Sequence, residues 1–327
     1  MSESSVLAQA LENTLAIAIE ALVQAGPPLL NDPSLFQRLS DLQIGLGSET
    51  VEASAVPSSQ PSLGEFLQLT SATQHILETL LRRGNSGLNA EALSAMEEVL
   101  THLNVNLALA LRREQAHRIR GLYVIIDPQV TGGREPLEVA VAAIRGGARM
   151  LQLRDKLRDK GESLPLAAAL QELCKAHDVL LIINDHLDVA VAVGSGGVHV
   201  GQTDLPVADA RRLLAPHQVI GRSNREFEQL VESQEMGADH LAFGPIYQTD
   251  TKSIVRQPQG VERLKQARAV AKVPLVAIGG IDVDNLAPVV AAGADAICVT
   301  AAVGSAPDPE SAASRLVEAI QTAGGRV

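Results

Sequence analysis

Residues 179–204, with the sequence VLLIINDHLDVAVAVGSGGVHVGQTD, contain two short apolar runs, Val179–Ile183 and Gly197–Val200. The segment between the runs is long enough for a short helix, and polar residues follow each run directly. Short apolar runs that alternate with helical segments are typical of parallel strands joined by helices. This stretch therefore predicts a β-α-β unit, the building block of an α/β fold.

The same alternation continues on both sides of this stretch, from Gly121 to the end of the chain. Eight strands, each followed by a helix, fit into about 200 residues, and this count and size predict a (β/α)8 TIM barrel. Glycines just before three of the strands, at 147, 237 and 293, fit helix ends. The six further β-rich runs are Leu122–Ile126, Met150–Leu153, Val219–Gly221, His240–Phe243, Leu275–Ile278 and Ala296–Val299.

The region before the barrel has a different character and predicts a small all-α domain over residues 1–115, with the barrel over 116–327. Residues 1–111 contain three arginines against twelve carboxylates, so this part is strongly acidic, with a net charge of -9. It carries no phosphate loop, metal-spaced His/Cys set or Ser/His/Asp arrangement. Apolar spacing predicts helices over Ser5–Gln24, Pro33–Ile44, Leu63–Arg83 and Asn89–Arg113, with a loose connector at Ser48–Ser62.

The composition limits the classes of partner that the chain can have. Its net charge of -11 argues against nucleic-acid binding, which needs a basic face. No uncharged stretch reaches the ~20 apolar residues that span a bilayer, so no membrane association is expected. Two cysteines in apolar runs, Cys174 and Cys298, are typical of a reducing compartment and predict a cytoplasmic protein. The sequence leaves open whether the chain forms a homo-oligomer.

Residues at the carboxyl ends of the strands converge on one mouth of such a barrel. At strands two to eight these residues are almost all polar and carry mixed charge, which predicts a phosphate-rich substrate. The set consists of Gln152, Arg154 and Lys156; Asn184 and Asp185; His199, Gln202 and Asp204; Ser223; Thr249, Thr251 and Lys252; Gly279 and Gly280; and Thr300 and Ala301.

Two carboxylates in this set, Asp185 and Asp204, follow neighbouring strands and could bind one Mg²⁺ together with substrate phosphate oxygens. Taken singly, each aspartate is equally compatible with a helix cap. Arg154 offers a bidentate fork to phosphate, whereas Lys156 and Lys252 act as point charges.

The loops after strands seven and eight form the usual backbone phosphate grip of this fold, and Gly280 permits close approach of the backbone. Two phosphate-holding features imply two phosphorylated substrates, or one substrate with phosphate at both ends.

Six motifs, in this order and spacing, resemble the thiamine phosphate synthase family over about two thirds of the chain. Any one of them could be chance, but the ordered set is specific. They are QLRDK at 152–156, IND at 183–185, GVHVGQTD at 197–204, GRS at 221–223, GPIYQTDTK at 244–252 and IGGI at 278–281.

The resemblance implies condensation of 4-amino-2-methyl-5-(diphosphooxymethyl)pyrimidine with a thiazole phosphate, carboxylated or not, to give thiamine phosphate and pyrophosphate. It implies Mg²⁺ held by Asp185 and Asp204, and catalytic roles for Arg154, Lys156, Lys252 and Ser223. The pyrimidine diphosphate would be bound by Gln152, Leu153, Arg154, Asp155, Lys156, Asn184, Ser223 and Lys252. The thiazole phosphate would be bound by Thr249, Asp250, Thr251, Gly280, Thr300 and Ala301. Independently of the resemblance, we expect the 249–252 loop to close over substrate, because the diphosphate must ionise away from water.

Four positions depart from the family pattern. Asn224-Arg225 replaces Thr-His, Ala301 replaces a serine, and Asp155 replaces a glutamate. Two other functions stay open: a thiazole tautomerase on the same barrel, which needs neither diphosphate nor metal, and a non-catalytic phosphate-ligand binding protein. The N-terminal helices resemble weakly a domain related to a hydroxymethylpyrimidine phosphate kinase, but few basic side chains occur there, which favours a structural or interaction role.

Overall fold

The computed structural model describes residues 3–25, 33–45, 62–83, 89–249 and 257–327. The chain divides into two compact units, Met1–Leu111 and Arg112–Val327, each with a hydrophobic core of its own. Residues 48–61 of the predicted connector, Ser48–Ser62, lie outside the described residues, as do Gly26, Pro27 and Pro28.

The N-terminal unit is helical, as predicted. On one face of its first helix, Leu15, Ile19 and Leu22 are fully buried, because steps of four and three residues return to the same side of a helix. The third helix begins with a reciprocal cap. The Glu65 carboxylate accepts the Ser62 N–H at 2.8 Å, and Ser62 Oγ accepts the Glu65 N–H at 3.3 Å. The helices are α1 (Glu3–Ala25), α2 (Pro33–Gly45), α3 (Leu63–Arg83) and α4 (Ala90–His117), and α4 continues past the end of this unit.

Helix α1 is long and apolar enough over Val6–Gln24 to cross a membrane, by length and composition alone. This segment carries two carboxylates, Glu12 and Glu20, and its buried leucines and isoleucine contribute to the core of the helical unit. A core helix of a non-membrane domain and an N-terminal signal sequence meet the same criteria. This finding therefore does not test the expected absence of membrane association, which stays a prediction.

The second unit is a closed barrel of eight parallel strands, and the predicted (β/α)8 fold is confirmed. At least one helix follows each strand. The strands are β1 (Gly121–Ile126), β2 (Met150–Leu153), β3 (Leu180–Asn184), β4 (Gly197–Val200), β5 (Val219–Asn224), β6 (His240–Phe243), β7 (Leu275–Ile278) and β8 (Ala296–Val299). The helices are α5 (Pro136–Arg145), α6 (Lys160–Ala176), α7 (Leu187–Ala192), α8 (Val207–Leu213), α9 (Phe227–Glu235), α10 (Gly260–Val270), α11 (Leu286–Ala291), α12 (Ala301–Gly304) and α13 (Pro309–Thr322).

Alternate residues along each strand divide between two apolar layers. On β2, Met150 belongs to a small cluster inside the barrel, whereas Leu151 and Leu153 pack in the large layer between strands and helices. Because the side-chain period of a strand is two, Gln152 shares the inward face with Met150. The same alternation places Asn184 on the inward face of β3, beneath the mouth.

Strand β5 is three residues longer than predicted, because Arg222, Ser223 and Asn224 pair in register with Leu241, Ala242 and Phe243 of β6. A charged residue such as Arg222 does not indicate a strand in the sequence. Its side chain is nevertheless 8% exposed and lies against α9, where Nη1 is 3.2 Å from the Glu232 carboxylate.

Candidate active site

The inward-facing Gln152 lies just below the barrel mouth, where it is 3% exposed. Its Nε2 donates to the hydroxyl of Tyr123, on the neighbouring strand β1, at 2.6 Å. Burial raises the pKa of Tyr123 well above its usual value, so that the phenol stays protonated. Leu153, the next residue, has its side chain in the outer core layer, and only its backbone is available to a ligand at the mouth.

Arg154 follows β2 and keeps its side chain 21% exposed at the mouth. Its backbone N–H donates to the Ile126 carbonyl at 2.9 Å, which joins the end of β2 to the end of β1. Its Nη1 forms an ion pair with Oδ2 of Asp127, a carboxylate that is 1% exposed. Asp127 was not among the predicted site residues, although it directly follows the first β-rich run. The prediction considered the ends of strands two to eight and omitted strand one.

Asp155 turns into its own loop instead of toward the mouth, with a side chain that is 2% exposed. Its Oδ2 lies 2.8 Å from Arg158 Nε, and its Oδ1 accepts the N–H groups of Leu157 and Arg158 at 3.2 and 3.3 Å. Burial raises the pKa of Asp155, but the hydrogen bonds from Leu157, Ser163 and Arg158 outweigh it and leave the pKa lowered. The carboxylate thus organises the start of the β2–α6 loop.

Lys156, Asp185 and Asp204 come together at the mouth. Lys156 Nζ forms an ion pair with Asp185 Oδ2. Asp185 adopts a left-handed φ of 61°, which is uncommon outside glycine, and its N–H donates to the His199 carbonyl at 2.8 Å. Asp204 Oδ2 accepts the Gly201 N–H at 2.7 Å, which orients this second carboxylate.

The two aspartates affect each other's proton affinity. Burial raises the pKa of Asp185, but hydrogen bonds from Lys156 and Asp204 outweigh it, and its pKa is lowered. The pKa of Asp204 is raised, first by burial and then by the Asp185 carboxylate, against the lowering effect of the Gly201 N–H. Two carboxylates in such contact are stabilised by a shared cation.

The donor chemistry of this pair fits Mg²⁺, which takes one or two carboxylates and completes its shell with phosphate oxygens and water. Among the described residues, no group of three or more His, Cys, Asp and Glu side chains gathers around one point. Two protein carboxylates with open remaining positions are the arrangement expected for a metal bound together with a phosphorylated substrate.

Ser223 on β5 lies beside the histidine of β4, and its Oγ is 2.9 Å from His199 Nε2. Beneath them, the ring centroid of the fully buried His240 is 5.7 Å from that of His199. Gly221 makes room for this pair, because a Cβ there would lie 2.0 Å from His240 Nε2 and 2.7 Å from His199 Nδ1. Gln202 also faces this group, with its Nε2 donating to the Ser223 carbonyl at 2.6 Å.

The opposite side of the mouth is built from backbone. Gly280, after β7, has a φ of 67°, and a Cβ there would lie 2.4 Å from the Gln248 carbonyl oxygen. Asn285 Nδ2 donates to the Gly280 carbonyl at 2.9 Å. Thr300 is the N-cap residue of the short helix that begins with Ala301. Thr249 is half-buried at the end of the described β6 loop. The predicted site residues Asp250, Thr251 and Lys252 lie outside the described residues.

The chain is similar to a known protein family, to individual proteins of that family and to a solved structure. The family model described as thiamine monophosphate synthase matches residues 122–303. The chain is 44% identical over 209 residues to a thiamine-phosphate synthase of Albidiferax ferrireducens, covering 63% of this chain and 95% of that protein. It is 42% identical over 205 residues to one of Moorella thermoacetica, covering 63% and 98%.

A match to a thiamine-phosphate synthase of a Synechococcus strain is longer than the barrel unit. It has 38% identity over 247 residues and covers 74% of this chain and 69% of that protein. Among solved structures, thiamine phosphate pyrophosphorylase from Pyrococcus furiosus is similar with a TM-score of 0.59 and 33% identity, over 64% of this chain and 99% of that one.

Proposed function

Because the chain belongs to the thiamine monophosphate synthase family, we propose that it joins an aminopyrimidine diphosphate to a thiazole phosphate and releases pyrophosphate. The reaction product is thiamine phosphate, and the enzyme is a transferase of thiamine biosynthesis. The observation that carries this proposal is the ion pair of Lys156 with Asp185, which contacts Asp204, together with Arg154, two residues before Lys156 at the same end of the barrel. A tautomerase that handles no diphosphate has no need of such a set.

In the proposed reaction the bond between the pyrimidinylmethyl carbon and the diphosphate oxygen breaks, and its electron pair leaves with pyrophosphate. The lone pair of the thiazole nitrogen then forms the new C–N bond to that carbon. The chemical step needs charge stabilisation on the departing group more than it needs proton transfer. We assign this work to Arg154, Lys156 and Lys252, with Ser223 donating a hydrogen bond to a phosphate oxygen.

Mg²⁺ bound by Asp185 and Asp204 would supply Lewis-acid charge to the diphosphate oxygens. The chain's own residues orient the substrates around it. His199 holds the Ser223 hydroxyl in place, and Tyr123 holds the Gln152 amide below the mouth. We assign this amide to the pyrimidine ring.

We assign the pyrimidine diphosphate to Gln152, Arg154, Lys156, Asn184, Ser223 and Lys252, with Leu153 contributing through its backbone and Asp155 by shaping the loop. The thiazole phosphate is assigned to the backbone side of the mouth. This group consists of Thr249, Asp250, Thr251, Gly280, Thr300 and Ala301, and replacement of serine by Ala301 leaves backbone donors in place. The inference for the 249–252 loop is that it closes on the substrates, because diphosphate must ionise away from water.

The helical domain, placed at 1–115, is assigned a structural or interaction role, because the three arginines of residues 1–111 are too few for a phosphate site. The substrates are small molecules, and neither nucleic acid nor membrane is part of the proposal. A cytoplasmic location agrees with the two buried cysteine thiols, Cys174 and Cys298.

The decisive experiment measures pyrophosphate release from the full chain with both substrates and Mg²⁺. We expect release by the parent and a loss of about 10²–10³-fold in Asp185→Ala and in Asp204→Ala, since each removes an electrostatic contact to the reacting group. Asp188→Ala is the matched control, because this aspartate is 60% exposed in a surface pair with Lys160, three residues beyond Asp185. A folded parent that binds thiazole phosphate but releases no pyrophosphate would contradict the proposal and point to the tautomerase or to a non-catalytic binder.

A further inference from the structure

We infer that Asp127 is a positioning residue for the diphosphate, acting by holding the Arg154 guanidinium at the barrel mouth. The inference rests on the proposed function, because it takes Arg154 as a ligand of the diphosphate. Neither the sequence motifs nor the family resemblance assigned a role to this aspartate.

Each oxygen of the Asp127 carboxylate makes a different contact. Oδ2 contacts Arg154 Nη1, while Oδ1 accepts the N–H of Gln129 at 3.0 Å. The second contact anchors the carboxylate to the turn that follows β1. The Arg154 N–H donates to the Ile126 carbonyl, so both ends of the ion pair are tied to adjacent strands.

The ion pair is matched in charge but asymmetric in exposure. A carboxylate that is 1% exposed requires a partner, and within the part of the chain that the structure describes Arg154 is its one ion-pair partner. The guanidinium is partly exposed and has five N–H donors in a planar fork, so that contact through Nη1 leaves donors for phosphate oxygens. Fixing this long side chain before the substrate binds removes part of the entropy that binding would otherwise cost.

Whether removal of Asp127 weakens or strengthens diphosphate binding distinguishes a positioning role from a direct effect of its charge. A carboxylate close to a diphosphate repels it, so removal of the Asp127 charge should strengthen diphosphate binding if charge alone matters. If Asp127 instead positions Arg154, its removal should weaken binding, because the guanidinium is released into solvent.

The experiment is calorimetric binding of pyrophosphate, in the presence of Mg²⁺, to the full chain. We expect Asp127→Ala to weaken binding about 10–100-fold, by analogy with the loss of a residue that orients a metal ligand. Combined with Arg154→Ala, it should add less than about 2-fold, because the two changes remove one contact. Asp127→Asn is a second variant of equal size. Its single amide oxygen can accept from either Arg154 or Gln129 but not both, and we expect an intermediate loss.

A matched control lies at the other end of the barrel, where Asp295 pairs with Arg268 at 2.6 Å and with Arg326 at 3.2 Å. Asp295→Ala should lower the melting temperature and leave pyrophosphate affinity unchanged. In turnover, the Asp127 variants should raise KM for the pyrimidine diphosphate and leave KM for the thiazole phosphate at the parent value, which a merely structural role would not do.

Unchanged or tighter pyrophosphate binding in both Asp127 variants would overturn the inference, as would losses that add to that of Arg154→Ala. Failure of the proposed function is a separate result. It would appear as no pyrophosphate release by the parent, whereas the binding comparison needs no turnover.

Discussion

Replacement of Gly280 by alanine tests the assignment of the thiazole phosphate to the backbone side of the mouth. The backbone of Gly280 has a φ of 67°, in the left-handed region that L-residues with a Cβ avoid. An added Cβ would lie 2.4 Å from the Gln248 carbonyl oxygen and 2.9 Å from Tyr247 Cβ. Since the nearest atom is backbone, the β6 and β7 loops must separate to accept it.

The magnitude follows from these two effects. The left-handed conformation costs a non-glycine residue about 1–2 kcal/mol, and overpacking against atoms that cannot turn away costs about 1–3 kcal/mol more. The total cost of about 2–5 kcal/mol lowers the free energy of unfolding in part. The remainder weakens thiazole phosphate binding, because it displaces the backbone that grips the phosphate. If about half falls on the grip, affinity for the thiazole phosphate drops by roughly 5- to 60-fold, at 1.4 kcal/mol per tenfold.

The assay combines the melting temperature with KM for each substrate. Gly237→Ala is the control, because Gly237 has a φ of 90° but nothing within 4 Å of an added Cβ, and it lies before β6 at the other end of the strand. This control should lose only the conformational term, about 2–8 °C in melting temperature at 2–4 °C per kcal/mol, with both KM values unchanged. The reasoning fails if Gly280→Ala keeps the parent KM for thiazole phosphate, or raises both KM values equally.

Three further outcomes are expected. Burial, aided by nearby His199, lowers the pKa of His240 from 6.5 to about 3, so that between these values only the unfolded chain binds a proton there. The stability that His240 contributes is complete above pH 6.5 and falls by up to roughly 1.4 kcal/mol per pH unit as pH drops toward 3. His240→Gln should therefore show a shallower acid dependence in urea unfolding, and an unchanged slope would refute this. Tyr123→Phe removes the acceptor of the Gln152 amide, and KM for the pyrimidine diphosphate should rise about 2- to 10-fold while KM for the thiazole phosphate stays constant; equal changes in both would contradict the assignment of Gln152. A chain that starts at Arg112 should still release pyrophosphate, because two of the relatives are covered to 95% and 98% by matches of only 209 and 205 residues, about the length of the barrel unit. A folded but inactive barrel would show that the helical unit takes part in the reaction.

The barrel strands could be located from the sequence because each is a short apolar run bounded by turn residues. Five of the eight predicted runs have the observed ends, among them Met150–Leu153 and Ala296–Val299. The exception at β5 has a physical cause. Arg222 and Asn224 satisfy their polar groups against α9 and its surroundings, and no local pattern in the sequence encodes those partners.

Position after a strand says that a residue is near the mouth, but it does not say where the side chain points. Asp155 and Asp127 both follow a barrel strand within two residues, yet Asp155 is held by its own loop and Asp127 holds a neighbouring arginine. The difference is set by which N–H groups the loop backbone presents to each carboxylate. A carboxylate among several N–H donors and an arginine of its own loop has its lone pairs used locally. Asp127 accepts one N–H through Oδ1, which leaves Oδ2 to pair with Arg154 after β2. This contact with a second strand makes Asp127 the stronger candidate for a part in binding.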